Sequence, residues 1–277
     1  MHFLADGDYH RLAELIHARA GIKMPPSKKT FLEGRLRKRL PARGFAAFDE
    51  YCHWLFEENG LAEEETALLD AVTTNKTDFF REPHHFDHLT TEALPRLLSM
   101  GRGSEQPLRV WSAGCSNGAE PYTLAMVCQD FADRHPRFRF EIAASDLSTT
   151  MLSEAARAIY PHHAIEPVPM EMRKRYLLRD PLSDEVRIAP ELRRLVSFFR
   201  INLMDSDYGL RQQQDIVFCR NLIIYFDKQT QRLVLERLCR MVRPGGYLVL
   251  GHSESITGLS LPLRPVAATF FLREGER

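Results

Sequence analysis

The chain has 277 residues, 44% of them hydrophobic and 27% charged, an ordinary balance for one large or two smaller globular domains. Its 37 basic and 37 acidic side chains cancel formally, so no overall field attracts the protein to nucleic acid or to a membrane surface. Its start lacks a signal-peptide pattern, and no apolar run approaches the ~20 residues of a membrane span. Its 5 cysteines are scattered and never form CxxC, which predicts reduced thiols and a cytoplasmic location without membrane insertion.

Residues 1–72 are predicted to form an all-helical domain. Apolar residues from Tyr9 to Ile16 recur at helical spacing, and Gly21 is suited to end that helix. The basic segment 28–40 is predicted to form a second helix, which Pro41 and Gly44 terminate. Residues 45–56 and 61–72 are predicted to form two more. On composition alone, the basic side chains of the second helix form a solvated surface.

From about residue 107, strand patterns alternate with helix patterns. Apolar strand segments are predicted at 108–114, 140–146, 195–203, near 215–220, at 245–254 and at 268–274, with helices at 119–133, 149–158 and 228–242. Strands joined by helices predict a parallel sheet covered on both faces. The last two strands have no helix between them and are predicted to pair as an antiparallel edge hairpin. This α/β pattern is that of the doubly wound sheet of class I methyltransferases.

Residues 160–195 interrupt the alternation. This stretch is proline-rich and polar, and it is too long for a plain loop within a compact domain. We expect an inserted subdomain, a small antiparallel sheet beside a helix at Met170–Tyr176.

The loop Ser112–Gly118, after the first predicted strand, is the first candidate binding site. Ligands of doubly wound sheets bind beyond the carboxyl ends of the strands, and small residues in this loop allow close approach to the backbone. Glu120 lies in the first turn of the next helix, and no lysine or arginine is nearby in sequence. A cationic ligand such as S-adenosylmethionine therefore fits this loop better than a pyrophosphate does, although Glu120 could instead be a partner of the helix dipole.

Asp146, at the end of the second predicted strand, is placed to accept hydrogen bonds from both hydroxyl groups of a ribose. The alternative is that Asp146 caps the helix that follows. We favour the ribose role because of the strand–helix pattern around it.

Several segments together closely resemble the chemotaxis receptor methyltransferase (CheR) family. They are TTNKTDFFREPHHF at 73–86, WSAGCSNGAEPYTLAM at 111–126, ASDLSTTMLSEA at 144–155, INLMD at 201–205, FCRNLIIYFD at 218–227 and PGGYLVLGHSES at 244–255. Their order is that of the family. The resemblance implies an enzyme that transfers methyl groups from S-adenosylmethionine to glutamate side chains of chemoreceptors, with S-adenosylhomocysteine as product.

The resemblance also implies a division of the chain and a set of site residues. The helical domain would end at 72, residues 73–106 would be a linker and cofactor clamp, and 107–277 the methyltransferase domain, with 160–195 as its inserted β-subdomain. Arg81 and Tyr225 are the implied catalytic residues. The implied cofactor contacts are Asn75, Thr77 and Arg81 in the clamp, Gly114 in the loop, Glu120, Asp146 at the ribose, Asn202 and Leu203 at the adenine end, and Arg220 and Asn221 above the cofactor.

Two residues depart from the pattern of the family. Its loop often reads STGEEPY, whereas this chain has Asn117 and Ala119 at two of those positions. Glu120 remains, so we expect cofactor binding to survive with altered affinity. The residue-level alternatives for the catalytic pair are a structural ion pair of Arg81 with Glu82 or the helical domain, and a core position for Tyr225.

The same resemblance gives the basic helix a role in receptor docking. The receptor's cytoplasmic signalling domain is acidic around its methylated glutamates, and the implied contacts are Lys28, Lys29, Arg35, Arg37, Lys38 and Arg39. Some members of the family dock a receptor C-terminal pentapeptide through a glycine-bearing loop of the β-subdomain. The corresponding segment here, RDPLSDEVRI, has no glycine, which suggests a pentapeptide-independent enzyme.

His84, His85 and His88 raise the question of a metal. No further ligand type is apparent near them, so we expect structural histidines and no metal. Two other functions stay open: a non-catalytic signalling module with the same fold, and a methyltransferase acting on a small molecule or nucleic acid. We expect a monomer with no nucleic-acid partner.

Overall fold

Apolar faces of the N-terminal helices meet in a core of their own, built around Leu12, Ile16, Leu32 and Leu36. The computed structural model describes residues 3–275. Gly21 ends the first helix with φ of 70°, as predicted. The helices of this bundle are α1 (Asp6–Ala20), α2 (Lys29–Leu36), α3 (Arg39–Ala42), α4 (Phe48–Glu57) and α5 (Leu61–Val72).

The basic segment was predicted as one helix, and that prediction was wrong. The chain turns at Arg37 and Lys38, so α2 and the short α3 are separate. The buried Glu64 of α5 supplies the physical reason, because its carboxylate binds the guanidinium groups of Arg39 and Arg43 and draws α3 toward α5.

The larger part of the chain is built on a seven-stranded sheet. Its order is β6-β2-β1-β7-β8-β10-β9, with neighbours parallel up to β8 and β10 antiparallel to both its neighbours. The strands are β1 (Leu108–Ala113), β2 (Phe140–Asp146), β6 (Val196–Arg200), β7 (Gln214–Cys219), β8 (Val242–Leu250), β9 (Leu263–Ala267) and β10 (Phe270–Arg273). This is the predicted doubly wound methyltransferase architecture.

Helices cover both faces of the sheet. Successive residues of β1 alternate between two cores, with Val110 in one and Trp111 in the other. The covering helices are α6 (His84–His88), α7 (Leu94–Ser99), α8 (Ala119–Arg134), α9 (Thr149–Arg157) and α12 (Lys228–Met241).

The predicted antiparallel pairing of β8 with β10 is confirmed, but the edge of the sheet lies one strand further on. That edge strand is β9, which the sequence pattern missed. Most of β9 is exposed and it contains Pro265, a residue that sheets tolerate at an edge strand.

Within the stretch 73–106, α6 and α7 are joined by a π-helical turn at Leu89–Ala93 and pack into the core of the sheet.

The insert forms the predicted small antiparallel sheet beside a helix. Its strands β3 (Ile159–Pro161), β4 (Leu177–Arg179) and β5 (Glu185–Ile188) lie in the order β3-β5-β4, with α10 (Met170–Tyr176) and the short α11 (Pro190–Arg193) nearby in the chain. The Tyr160 hydroxyl donates to the Asn117 carbonyl over 2.8 Å and so attaches this subdomain to the loop before α8.

Polar contacts fasten the helical bundle onto the carboxyl edge of the sheet. The Asp70 carboxylate accepts hydrogen bonds from the backbone N–H and hydroxyl groups of Thr149 and Thr150, at the start of α9. The Lys23 N–H donates to the Tyr225 carbonyl over 2.8 Å, and the Asn202 side chain donates to the Arg19 carbonyl over 2.6 Å. Within residues 3–275, none of the helices combines the length and apolar character needed to cross a bilayer.

Candidate functional site

A cavity of about 1150 Å³, its open mouth included, lies between the helical bundle and the carboxyl ends of β1, β2 and β7. This is the crevice where doubly wound sheets bind ligands. All the predicted cofactor and catalytic residues line it, namely Asn75, Thr77, Arg81, Gly114, Glu120, Asp146, Asn202, Leu203, Arg220, Asn221 and Tyr225. The structure thus brings them together, although lining a cavity does not assign their roles.

The loop between β1 and α8 forms the floor of the cavity. Gly114 and Ser116 both have positive φ, 81° and 49°. The N–H groups of Gly114 and Cys115 donate to the Ser145 carbonyl, over 2.8 Å each, which ties the loop to the end of β2. A side chain at Gly114 would meet Leu222 Cδ1 at 2.2 Å, so the glycine is needed for packing as well as for backbone shape.

Glu120 lies at the inner end of the cavity. Its Oε1 accepts a hydrogen bond from the Ser112 hydroxyl over 2.7 Å. Burial raises the pKa of this carboxyl, against the lowering effects of Arg220 and Ser112.

No lysine or arginine lies near Glu120 in the sequence, as noted above, but in the folded protein an arginine from a distant segment lies beside it. Arg220 approaches from the end of β7, with its Nη1 3.5 Å from Glu120 Oε2 and its Nη2 3.6 Å from Glu82 Oε2. One guanidinium therefore serves two carboxylates, so this group of three side chains keeps a net negative charge when both acids are ionised.

Asp146 presents its carboxylate to the cavity from the end of β2. Its Oδ2 accepts from the Ser116 N–H over 2.8 Å and its Oδ1 from the Ser148 N–H over 2.9 Å. Each oxygen keeps a lone pair for a further donor. The alternative role as a helix cap belongs instead to Ser148, whose hydroxyl accepts from the Met151 N–H.

Arg81 and Tyr225 both line the cavity, Arg81 from the segment before α6 and Tyr225 from the segment after β7. The Arg81 guanidinium donates to the Lys76 carbonyl over 2.9 Å, whereas Glu82 accepts from the Asn221 side chain and lies near Arg220. The ion pair considered for Arg81 is therefore absent from the contacts among residues 3–275. Tyr225 is half-buried, with the Lys28 ammonium 5.5 Å from its ring centre.

Other lining residues have structural contacts as well. The Asn75 carbonyl accepts from the Ser116 hydroxyl over 2.8 Å. The side-chain oxygen of Asn202 accepts from the Met204 N–H, and its amide group holds the end of α1. Leu203 is buried beside them and offers an apolar surface.

Glu254, which lies in the motif at 244–255 and was not among the predicted site residues, organises the turn after β7. Its buried carboxylate accepts the N–H groups of Asn221, Leu222, Ile223 and Gly251 at 2.7–3.0 Å. Asn221 is held there with φ of 56°. An acid after an apolar strand is a weak signal by itself, and only the fold shows that it faces four donors.

The predicted receptor-binding residues separate into two groups. Arg35, Arg37 and Lys38 are exposed at the end of α2 and the turn after it. The other three are half-buried. Lys28 lines the cavity, Lys29 forms an ion pair with Asp6, and Arg39 forms an ion pair with Glu64.

Two sequence models of one family together match most of this chain. Residues 7–73 match the all-alpha domain of the CheR methyltransferases, and residues 75–271 match their SAM-binding domain. The chain belongs to the CheR methyltransferase family. CheR enzymes are named as methyltransferases, and S-adenosylmethionine is the cofactor of the matched domain.

Curated relatives of this CheR protein extend over nearly its whole length. The chemotaxis protein methyltransferase 2 of Pseudomonas aeruginosa is 37% identical over 95% of this chain and 92% of its own. The chemotaxis protein methyltransferases of Borreliella burgdorferi and Escherichia coli are each 36% identical, over 90% and 92% of this chain and 88% and 87% of theirs. Among solved structures, a magnesium protoporphyrin IX methyltransferase from Synechocystis is 14% identical, covers 71% of each chain and has a TM-score of 0.32.

The cavity of this CheR protein fits its cofactor chemically. Glu120 offers a buried carboxylate for an ammonium group, and Asp146 keeps free lone pairs for hydroxyl groups. Leu203 and Ile201 supply an apolar wall for a purine.

Proposed function

We propose that this enzyme methylates glutamate side chains in the cytoplasmic signalling domain of a chemoreceptor. The products would be a glutamyl methyl ester and S-adenosylhomocysteine. The observation that carries the proposal is the position of Arg81 and Tyr225 on the wall of the cavity that also contains Glu120 and Asp146.

For this reaction the protein has to align the methyl donor with the substrate carboxylate and to exclude water. A glutamate carboxylate, with an ordinary pKa near ~4.3, is already ionised at neutral pH and needs no general base. When bound, S-adenosylmethionine supplies a methyl carbon activated by a sulfonium group. Glu120 and Asp146 would hold the cofactor so that this carbon meets the substrate oxygen, and the sulfur would leave with the electron pair of the carbon–sulfur bond. Positioning of the two reactants can contribute about 7–11 kcal/mol to such a step.

Arg81 and Tyr225 are our candidates for orienting the substrate carboxylate. Negative charge on that carboxylate is lost during transfer, so strong ion pairing would hold back the nucleophile. One half-buried guanidinium, already shared with the Lys76 carbonyl, together with one phenol hydroxyl meets this requirement. Neither residue donates to a carboxylate within residues 3–275, so both remain available to a substrate.

Transfer from labelled S-adenosylmethionine to a purified receptor signalling domain tests the proposal. We expect label that base releases as methanol, as required of a methyl ester, and that disappears when the receptor glutamates are changed to alanine. Arg81→Ala should lower kcat by about 100-fold and, because Arg81 is also an expected cofactor contact, should weaken S-adenosylhomocysteine binding as well. Tyr225→Phe should lower kcat by about 10-fold and should leave S-adenosylhomocysteine affinity within threefold. Base-stable label, or kcat unchanged in both variants, would contradict the proposal.

We also propose that this enzyme acts without a receptor pentapeptide. The β4–β5 connection is a short turn whose Leu182 is 94% exposed, and it contains no glycine. Calorimetric titration with a receptor C-terminal pentapeptide should show no saturable binding, and micromolar affinity would refute this part of the proposal.

A further inference from the structure

Three histidines from distant parts of the chain meet beside the cavity. His84 and His85 begin α6, and His252 follows β8, 168 residues after His84. One ligand atom from each of the three lies within 4.8 Å of the others. The Nε2 atoms of His84 and His252 are 2.9 Å apart. We call these three residues the histidine cluster.

One arrangement of hydrogen bonds around His85 leaves its Nδ1 free to bind a ligand. The Thr269 hydroxyl can donate to the Ala268 carbonyl, 2.7 Å away, and its oxygen then accepts from His85 Nε2 at 2.6 Å. In that arrangement His85 Nδ1 carries a bare lone pair.

That lone pair has no hydrogen-bond partner within residues 3–275. His85 is fully buried, and its Nδ1 faces Glu82 Oε2 at 3.4 Å. Glu82 Oε2 is itself buried without a hydrogen bond in this part of the chain. Two electron-rich atoms that face each other in a buried site attract a cation, and the Arg220 guanidinium, 3.6 Å from Glu82 Oε2, is too far away to hydrogen-bond that oxygen.

We propose that the histidine cluster binds a divalent transition-metal ion, with zinc as the prime candidate, and that Glu82 supplies an oxygen ligand. Neutral imidazoles and a carboxylate are ligands that zinc prefers, and the Thr269 contact to His85 is the outer hydrogen bond usual for a ligating histidine. Ligand atoms of a tetrahedral zinc site lie about 3.3 Å apart for bonds of ~2.0–2.1 Å. His252 is exposed and His84 half-exposed, and their Nε2 atoms, now 2.9 Å apart, would have to separate slightly. The Glu82 carboxylate, which lies outside the 4.8 Å cluster, would have to turn toward the ion.

This inference departs from the expectation of purely structural histidines. That expectation considered His88, whose ring instead packs against Phe270 at 4.5 Å between centres. The further proposed ligand, His252, comes from the loop after β8, far from α6 in the sequence, so the local sequence around His84 gave no sign of it.

The Arg220 guanidinium, 3.6 Å from Glu82 Oε2, competes with the metal for that oxygen. We therefore expect micromolar rather than picomolar affinity. A bound ion would join the segment that carries Arg81 to the loop that follows β8, and so would fasten one wall of the cavity.

Calorimetric titration of the full chain with Zn²⁺ tests the site, and Co²⁺ absorption in the visible range reports its ligand geometry. The variants are His84→Gln and His252→Gln, because both side chains are accessible and their loss should not unfold the protein. His88→Gln is the matched control on the same helix. We expect one Zn²⁺ per chain with micromolar affinity, at least tenfold weaker binding in the two cluster variants, and a change below twofold in the control.

Absence of saturable Zn²⁺ binding by the wild type would overturn the inference, and so would equal binding by the wild type and His252→Gln. Thermal melts add a second readout, since an ion that binds only the native state raises Tm. That rise should be lost in both cluster variants and kept in His88→Gln; a rise that persists in all three variants also counts against the site. The test is independent of methyl transfer, so it does not depend on the proposed function.

Discussion

At the scale of single residues, buried carboxylates hold the cavity wall in backbone shapes that residues other than glycine rarely adopt. Asp146 binds the N–H of Ser116, whose φ is 49°, and Glu254 binds that of Asn221, whose φ is 56°. Such conformations persist only where their surroundings hold them in place, and they often occur at functional sites. The acids therefore shape the cavity as well as offering contacts to a ligand.

Asp146→Asn should weaken S-adenosylhomocysteine binding by about 10–100-fold, because hydrogen bonds to a charged group contribute about 1.5–3 kcal/mol. Isothermal titration measures this, and a thermal melt shows whether the variant is folded. The control is Asp133→Asn, an exposed aspartate on α8 that contacts Gln129 and Arg175. If the Kd for S-adenosylhomocysteine is unchanged in Asp146→Asn, Asp146 does not bind the ribose of the cofactor.

The affinity for S-adenosylhomocysteine should fall as pH decreases toward 5. Burial raises the pKa of Glu120 above its usual 4.5, so this carboxyl takes up a proton earlier than an exposed glutamate and then attracts an ammonium group less. Burial raises the pKa of Asp146 in the same direction. Titrations between about pH 7.5 and 5 should show a weaker pH dependence in Glu120→Gln than in the wild type. Equal slopes would show that Glu120 does not contact the ammonium.

At the scale of elements, Glu64 fastens three helices of the N-terminal bundle. Its fully buried carboxylate accepts from Arg39 at 2.7 and 2.9 Å, from Arg43 at 2.7 Å and from Tyr51 at 3.1 Å. Burial alone would raise the pKa of Glu64, but the bonds to Arg39 and Arg43 outweigh it and lower the pKa. Its contribution to stability is thus complete above the unfolded value near 4.5 and is lost as pH falls through the lowered folded pKa.

Glu64→Ala should destabilise the protein by about 3–5 kcal/mol, because it leaves two guanidinium groups without their buried partner. Urea unfolding followed by circular dichroism measures the change. The adjacent Glu63→Ala is the control: this side chain is 72% exposed and lies 3.6 Å from Arg43, so its removal should cost less than about 1 kcal/mol. Equal costs for the two variants would mean that the buried network adds no stability.

Elements whose pattern reflects burial could be predicted from the sequence, and elements that depend on a distant partner could not. The long periodic segments that became β1, β2, α8 and α12 were correct within a few residues, because apolar periodicity reflects burial directly. The break between α2 and α3 was missed because its cause, Glu64, lies on another helix. The strand β9 was missed because an exposed edge strand carries little apolar periodicity.

For the site, the residues that line the cavity could be predicted from the sequence, but their long-range contacts could not. Every residue carried over from the family motifs lines the cavity, since motifs at strand ends converge wherever the sheet is parallel. Their individual roles stay predictions. The contacts of Arg220, Glu254 and His252 could not be predicted, because each depends on a partner more than thirty residues away in the chain.

At the scale of the whole molecule, the helical bundle closes one side of the cofactor cavity. The contacts of Asp70 with Thr149 and of Lys23 with Tyr225 place α2 at its mouth, where Lys28 and Phe31 join the lining. The division of the chain at residues 72 and 106 stays a prediction, and α6 and α7 already belong to the core of the sheet. We propose that a receptor approaches this mouth and that the exposed basic residues at the end of α2 attract it.

Because the formal net charge of the chain is zero, attraction of an acidic receptor must come from a local patch. The double variant Arg35→Glu with Arg37→Glu should raise the KM for the receptor about tenfold, through lost attraction and added repulsion, and should leave S-adenosylhomocysteine affinity unchanged. The control reverses the charges of Arg134 and Arg137, which are exposed between the end of α8 and the start of β2. The difference between the two double variants should shrink in 0.5 M salt, where the Debye length is only about 4 Å. If both raise KM equally, overall charge rather than the end of α2 recruits the receptor.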